Sequence, residues 1–229
     1  MIDFTNGIRY GLSYFTIFPT YLEKFEANKQ FYKGVLFSLP IAGLTMGIFI
    51  VLLHEVLPFP LLYSSILLSI IYLFLNGFIH LEAVADTIDG YFASLSQKDV
   101  YEVMKEPQIG AIGAIGTFCF VLFKILAISY LLYYEQYLLL VLVFMLSRAS
   151  VFFSLDFTFH TQSHFINSLQ NSIYIYSLFK IVFFPILLLT KVILSRLKKQ
   201  LGFLNGDTIG FNIEVIEIVL LNICILFIR

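Results

Sequence analysis

Charge is scarce in this chain. Asp, Glu, Lys and Arg make up 13% of 229 residues, where a soluble domain carries about a quarter. There is no Trp, and there are only two Cys. Both Cys119 and Cys224 sit inside apolar runs, as packing residues do, so a disulfide framework or a cysteine metal site is excluded. The net charge of −1 excludes an electrostatically driven nucleic-acid partner. What fills the chain instead is apolar: 59% hydrophobic residues, with 26 Phe against 14 Lys plus Arg. A water-soluble globule of this size cannot hide that much apolar surface. A bundle embedded in lipid has no need to.

The apolar residues come in runs: Gly34–Val56, Leu61–Ile79, Ile109–Tyr134, Tyr137–Phe153, Ile173–Leu194 and Ile213–Ile228. A helix needs about 20 mostly apolar residues to cross the hydrocarbon layer. The runs are continuous and long, unlike the short alternating strands of a membrane barrel. The expected fold is therefore all-α: a polytopic transmembrane helical bundle of six or seven membrane segments in a single domain spanning 1–229. The opening residues lack the compact apolar core and cleavage site of a secretory signal. Residues 1–33, with Arg9, Lys24, Lys29 and Lys33 among aromatics, read as an interfacial segment.

Polar character concentrates in 1–33, 80–108, 154–172 and 195–212. Lys and Arg mark the cytoplasmic side and occur in the first, second and fourth of these, whereas the turns at Pro58 and Glu135 have none. Six simple crossings would put 80–108 and 195–212 on opposite sides. The charges therefore call for a re-entrant or broken helix between them, and the short run Tyr137–Phe153 or a break at Pro185 would supply it.

The chemistry concentrates in Asn76-Gly77-Phe78-Ile79-His80-Leu81-Glu82-Ala83-Val84-Ala85-Asp86-Thr87-Ile88-Asp89-Gly90. On a helix, Glu82, Asp86 and Asp89 stand at i, i+4 and i+7, on one face. Three like charges at a membrane boundary repel one another and raise each other's cost. A divalent cation relieves both penalties, and oxygen-only ligands favour Mg²⁺, Mn²⁺ or Ca²⁺. Without a cation, the same residues are a solvated helix end. Farther on, Pro107 ends a polar segment and Gly110, Gly113 and Gly116 bare one face of the next span, for close helix packing or for backbone approach to a phosphate. Asn205-Gly206 marks a turn. Asp207 is placed to cap the last helix, and Glu214 lies on its face at i+7. Arg148, inside an apolar run, needs an anion: Glu135, Asp156 or a substrate phosphate. His80 would contact substrate or cap its span. His160 and His164 have a metal-compatible i, i+4 spacing without a third ligand, and His54-Glu55 reads as interfacial.

These motifs resemble the cobalamin synthase family, the adenosylcobinamide-GDP ribazoletransferases. The family's Gly-Gly-Phe/Leu-His-Leu-Asp-Gly-Leu-Ala-Asp-Thr-x-Asp-Gly is similar to residues 76–90, and its Met-Lys/Arg-Asp-x-x-x-Gly to Met104-Lys105-Glu106-Pro107-Gln108-Ile109-Gly110. Its Leu-Gly-Gly-x-Thr-Gly-Asp-x-x-Gly-Ala-x-x-Glu is similar to residues 201–214, and Phe15-Thr16-Ile17-Phe18-Pro19 resembles its N-terminal element. The likeness runs in order over nearly the whole chain. It departs at Glu82 and Glu106, each for aspartate, at Ile17 for arginine, and at Asn76 and Ala83 for glycine.

The resemblance implies a transfer at the membrane. Adenosylcobinamide-GDP would give its phosphoryl group to a hydroxyl of α-ribazole or α-ribazole 5′-phosphate, with Mg²⁺ (or Mn²⁺) required and GMP released. Glu82, Asp86, Asp89 and Asp207 are the expected metal ligands, with Asp89 nominated as base and Glu82 and Asp86 beside it as catalytic residues. His80, Lys105, Glu106, Arg148, Asn205 and Gly206 are the expected substrate contacts. The partners are these substrates and the lipid bilayer, with no nucleic acid; an oligomer is compatible with the sequence. The site would face the cytoplasm from the inner membrane of a prokaryote. Two rival readings differ in kind. A CDP-alcohol phosphatidyltransferase shares the opening Asp86-x-x-Asp89-Gly90-x-x-Ala93, but here Ser94 stands where that motif needs Arg and Val103 where it needs Gly. An ion-coupled transporter would use Asp86, Asp89 and Glu214, but calls for repeated halves that the sequence does not have.

Overall fold

The computed structural model describes residues 2–21, 24, 26–155, 157, 164–170 and 184–228. These form helices and connecting turns, with no strand among the described residues. The helices are α1 (Ile2–Phe15), α2 (Lys29–Val56), α3 (Leu61–Leu75), α4 (Ile79–Leu95), α5 (Val100–Val103), α6 (Ala111–Tyr133), α7 (Tyr137–Ala149), α8 (Val151–Ser154), α9 (His164–Gln170), α10 (Phe184–Leu201) and α11 (Gly206–Leu226).

Four helices are long and apolar enough to cross a membrane: α2, α6, α11, and α7 run together with α8 as Tyr137–Ser154. α3 and α4 reach the needed length only as a pair, and they are bent by 81° against each other. The protein is thus a helical integral membrane protein with four spans, or five if the bent pair counts as one, among the described residues. That is fewer than the six or seven read from apolar runs. The helix in Leu61–Ile79 stops at Leu75, and half of Ile173–Leu194, residues 173–183, lies outside the described residues. α6 shows why charge is so scarce: Ile115, Phe118, Phe123 and Leu126 are all more than 60% exposed on it, a face suited only to lipid.

Tyr137–Ser154 runs on as one apolar span, and the expected break at Pro185 borders residues 171–183, which lie outside the described residues. A bend that the sequence did not announce lies ahead of the acidic stretch, at Asn76-Gly77-Phe78. Gly77 and Phe78 both take left-handed backbone, with φ of 59° and 60°, which ends α3 and restarts the chain in a new direction. Asn76 secures the bend: its side-chain N–H donates to the Tyr72 carbonyl at 2.9 Å.

Close packing of small residues draws α1 onto α2. A Cβ on Gly34 would run into the Phe4 carbonyl, and one on Gly7 into that of Phe31. The main core lies between α2, α3, α6 and α7, around Met46, Leu68, Tyr72, Ile128, Leu131 and Phe144, with the Tyr72 and Phe144 rings stacked at 3.9 Å. At one end of the bundle α4 lies against α11 through Ala83 and against α6 through Ala85, while its Gly90 admits Met104 and Val100. The close of α10 reaches the close of α4, where Gln200 donates to the Ser94 hydroxyl at 2.9 Å. The rings of Tyr101 and Phe203 meet there too, at 5.6 Å. The polar stretches 80–108 and 195–212 therefore share one end of the protein, as their positive charges require.

Candidate active site

The site is built on α4. Small side chains on one side of this helix press it against its neighbours, leaving Glu82 exposed and Asp86 and Asp89 half-buried. Glu82 and Asp86 line a cleft of about 510 Å³ together with Glu106, Pro107 and the bend residues Gly77 and Phe78. The first turn of α11 adds Asp207. Asn205 caps that helix, accepting from the Thr208 N–H at 3.1 Å, and its amide donates to the Asp207 carboxylate at 2.7 Å. Asp86 feels the charge of Asp207, then of Glu82 and Asp89. None of Glu82, Asp86 and Asp207 forms an ion pair with a Lys or Arg among the described residues.

Asp89 is differently occupied. One carboxylate oxygen accepts from the Gly110 N–H at 2.7 Å and the other from the Gly113 N–H at 2.8 Å. These are the unpaired donors at the N-terminus of α6, where a carboxylate also meets the favourable end of the helix dipole. The glycines bring the backbone close enough, since a Cβ on Gly113 would overlap the Asp89 carboxylate and sit 2.9 Å from the Ala85 carbonyl. Asp89, nominated as the base, thus has both its oxygens engaged in joining α4 to α6. Gly113→Ala is expected to open this joint. It should lower the thermal midpoint in detergent by several degrees, whereas Gly116→Ala, whose Cβ meets the movable tip of Ile88, should shift it less.

Among the described residues no three His, Cys, Asp or Glu side chains converge to cage a metal. That arrangement fits Mg²⁺ in one respect: this ion usually takes one or two carboxylates and fills its shell with substrate phosphates and water. Glu82 and Asp86, unpaired and facing one cleft, match that donor set.

Beneath the acids lies a second charged layer, fully buried. Lys124 of α6 is 1% exposed and Arg148 of α7 0%. Lys124 bonds Glu214 at 2.6 Å and Glu217 at 2.9 Å. Arg148 bonds Glu217 at 2.9 Å and also donates to Asn76 and to the Tyr72 hydroxyl. Tyr72 and Ser147 add hydroxyl donors to Glu217. Two cations match two carboxylates, so the layer is neutral. Arg148 is thereby corrected from phosphate contact to structural partner, and its anion is Glu217, not Glu135. Asp156 and His160 lie outside the described residues, and the His160/His164 pairing with them. Lys124 was not singled out in the sequence. Its signal was there, in a lone cation within an apolar run and two acids at i, i+3 in the last one.

The remaining expected contacts scatter. Lys105 is exposed, its ammonium 3.9 Å above the Tyr101 ring. His80 is buried, its Nδ1 3.7 Å from Glu214, so it joins the buried layer to the surface. His80, Gly206 and Asp207 line a further cavity between α1, α4, α9 and α11. His54 bonds the Ser65 and Tyr137 hydroxyls, a structural role.

A family profile described as Cobalamin-5-phosphate synthase matches residues 7–225. The chain belongs to this family. It is similar to the adenosylcobinamide-GDP ribazoletransferase of Alkaliphilus oremlandii (strain OhILAs), at 31% identity over 89% of this chain and 90% of that protein. The protein of the same name from Treponema denticola is 27% identical over 94% of this chain and 96% of its own. A third relative of that name, from Acinetobacter baumannii (strain ACICU), is 27% identical over 92% of this chain. No solved structure matches. As a member of the cobalamin-5-phosphate synthase family the chain is an enzyme, a membrane-embedded transferase of cobalamin biosynthesis.

Proposed function

We propose that this enzyme joins adenosylcobinamide-GDP to α-ribazole or its 5′-phosphate, releasing GMP, with Mg²⁺, or Mn²⁺ in its place, as cofactor. The observation that carries the reading is the meeting of α4 and α11. Asp207, from the first turn of α11, lies near enough to Asp86 and Glu82 for their charges to act on one another, beside the cleft that Glu82 and Asp86 line, so an acceptor and a pyrophosphate donor can meet there.

The step requires little covalent work from the protein. The acceptor hydroxyl oxygen bonds to the phosphorus that carries the cobinamide, the bridging P–O bond breaks, and GMP leaves with its oxygen. Catalysis of such a transfer is mostly positioning and electrostatic stabilisation. Mg²⁺ bound at this site supplies charge neutralisation for the pyrophosphate. Glu82 and Asp86 are the residues that would hold it. Asp207, outside that pair, orients the acceptor hydroxyl and takes its proton. Asp89 holds the α6 N-terminus beside them, so that the glycine-lined backbone stays in register with the acids. Exposed Lys105, Arg196, Lys198 and Lys199 surround this end of the bundle, which supports a cytoplasmic orientation in the inner membrane.

The test is GMP release by the purified, detergent-solubilised protein. Release that requires adenosylcobinamide-GDP, α-ribazole or its phosphate, and Mg²⁺ together is the expected result. Release from a CDP-alcohol donor instead, or none from folded protein, would overturn the assignment.

A further inference from the structure

We propose that the cavity between α1, α4, α9 and α11 seats the flat aromatic base of the nucleoside acceptor, with Asp207 meeting its ribose; this rests on the transferase reading above. The cavity has a volume of about 320 Å³, at the lower end for small-molecule sites. That suits a benzimidazole nucleoside and is far too small for a corrin ring with its side chains. Three aromatic rings line it: Tyr14, Phe15 and Phe165. Tyr14 and Phe165 lie 6.5 Å apart at 38°, and Phe15 lies 6.2 Å from the His80 ring. Most of the remaining lining is aliphatic, and the ionisable residues are His80 and Asp207.

Bases without a strong hydrogen-bonding edge are held by stacking on such rings, and sugars by a carboxylate or a histidine. A dimethyl-substituted benzimidazole is a base of this kind. The guanine nucleotide of the donor is not: it brings a pyrophosphate, and the described residues lining the cavity include no Lys or Arg. The cavity also adjoins the acid cleft. Asp207 lines the former, while its charge is felt by Asp86 of the latter and it feels that of Glu82. A ribose hydroxyl held at Asp207 therefore stands beside Glu82 and Asp86, the acids assigned to the metal. His80, buried and resting against Glu214, presents a fixed ring to the same space.

Steady-state kinetics on the full chain separate the two substrates. Tyr14 and Phe165 are partly accessible, so leucine can replace each ring without opening the main core. With adenosylcobinamide-GDP saturating, Phe165→Leu and Tyr14→Leu are each expected to raise the KM for α-ribazole about tenfold, the scale of one lost stacking contact. The KM for adenosylcobinamide-GDP should stay within twofold, and Tyr14→Phe, which keeps the ring, should raise the acceptor's KM less than Tyr14→Leu. A rise in the donor's KM instead, or no change in either, would overturn the inference while leaving the transferase reading intact. If the leucine variants fail to fold, α-ribazole binding to the unaltered protein without donor decides. Displacement by free 5,6-dimethylbenzimidazole supports the assignment, and binding indifferent to it refutes it. Should the unaltered protein release no GMP from both substrates and Mg²⁺, the transferase reading fails first and this inference with it.

Discussion

Asp86→Asn is expected to reduce GMP release at least a hundredfold while leaving the bundle folded. Asp86 lies at the centre of the acid group, feeling Asp207, Glu82 and Asp89, and it shares the cleft with Glu82 and Glu106. The amide keeps the shape and removes the charge. Losing one electrostatic element aimed at a transition state costs a factor of about 10²–10³. Folding should be spared, or slightly favoured, because the change relieves repulsion among like charges. The loss should fall on kcat and not be recovered by more acceptor. Glu82→Asp provides the contrast. It shortens the arm to the family's usual aspartate, so activity should survive it. A variant Asp86→Asn that stays active at saturating Mg²⁺ would remove the acid cleft from the mechanism.

The second large effect lies in the buried layer. Glu217→Gln is expected to destabilise the protein by about 3–5 kcal/mol, the cost of removing one partner from a buried ion pair. Glu217 is 0% exposed and accepts from Lys124, Arg148, Tyr72 and Ser147. The glutamine leaves two buried cations facing the single charge of Glu214. Thermal or denaturant unfolding in detergent would register it, with exposed Glu102→Gln expected within about 0.5 kcal/mol of the parent. A Glu217→Gln protein as stable as Glu102→Gln would show that the layer is not the clamp its distances describe.

Much of this was readable from residues alone. The apolar runs imposed a helical membrane bundle, and the i, i+4, i+7 spacing placed Glu82, Asp86 and Asp89 on one helix. Positive charge in both 80–108 and 195–212 demanded a shared side, and Gln200 does reach Ser94. What was not legible depended on contacts between distant segments. Periodicity puts Asp89 on the acid face but says nothing of another helix starting beside it, so its engagement by Gly110 and Gly113 was not legible. Arg148 plainly needed an anion, yet only the packing of α7 on α11 identifies Glu217. Hydropathy counts apolar residues without showing where they bend. The turn at Gly77-Phe78 lies within one such run, with no proline to mark it.

The neutrality of the buried layer also sets an order for biogenesis. Lys124 and Arg148 lie on helices that leave the ribosome before α11, which carries both of their carboxylates. During synthesis each cation enters the bilayer without its counter-ion, at about 2.5–3.5 kcal/mol on the translocon scale. Helix α11 cancels that burden, and by the same step brings Asp207 beside the acids of α4. A nascent chain halted before α11 thus holds two uncompensated cations in the membrane and lacks one of its acids.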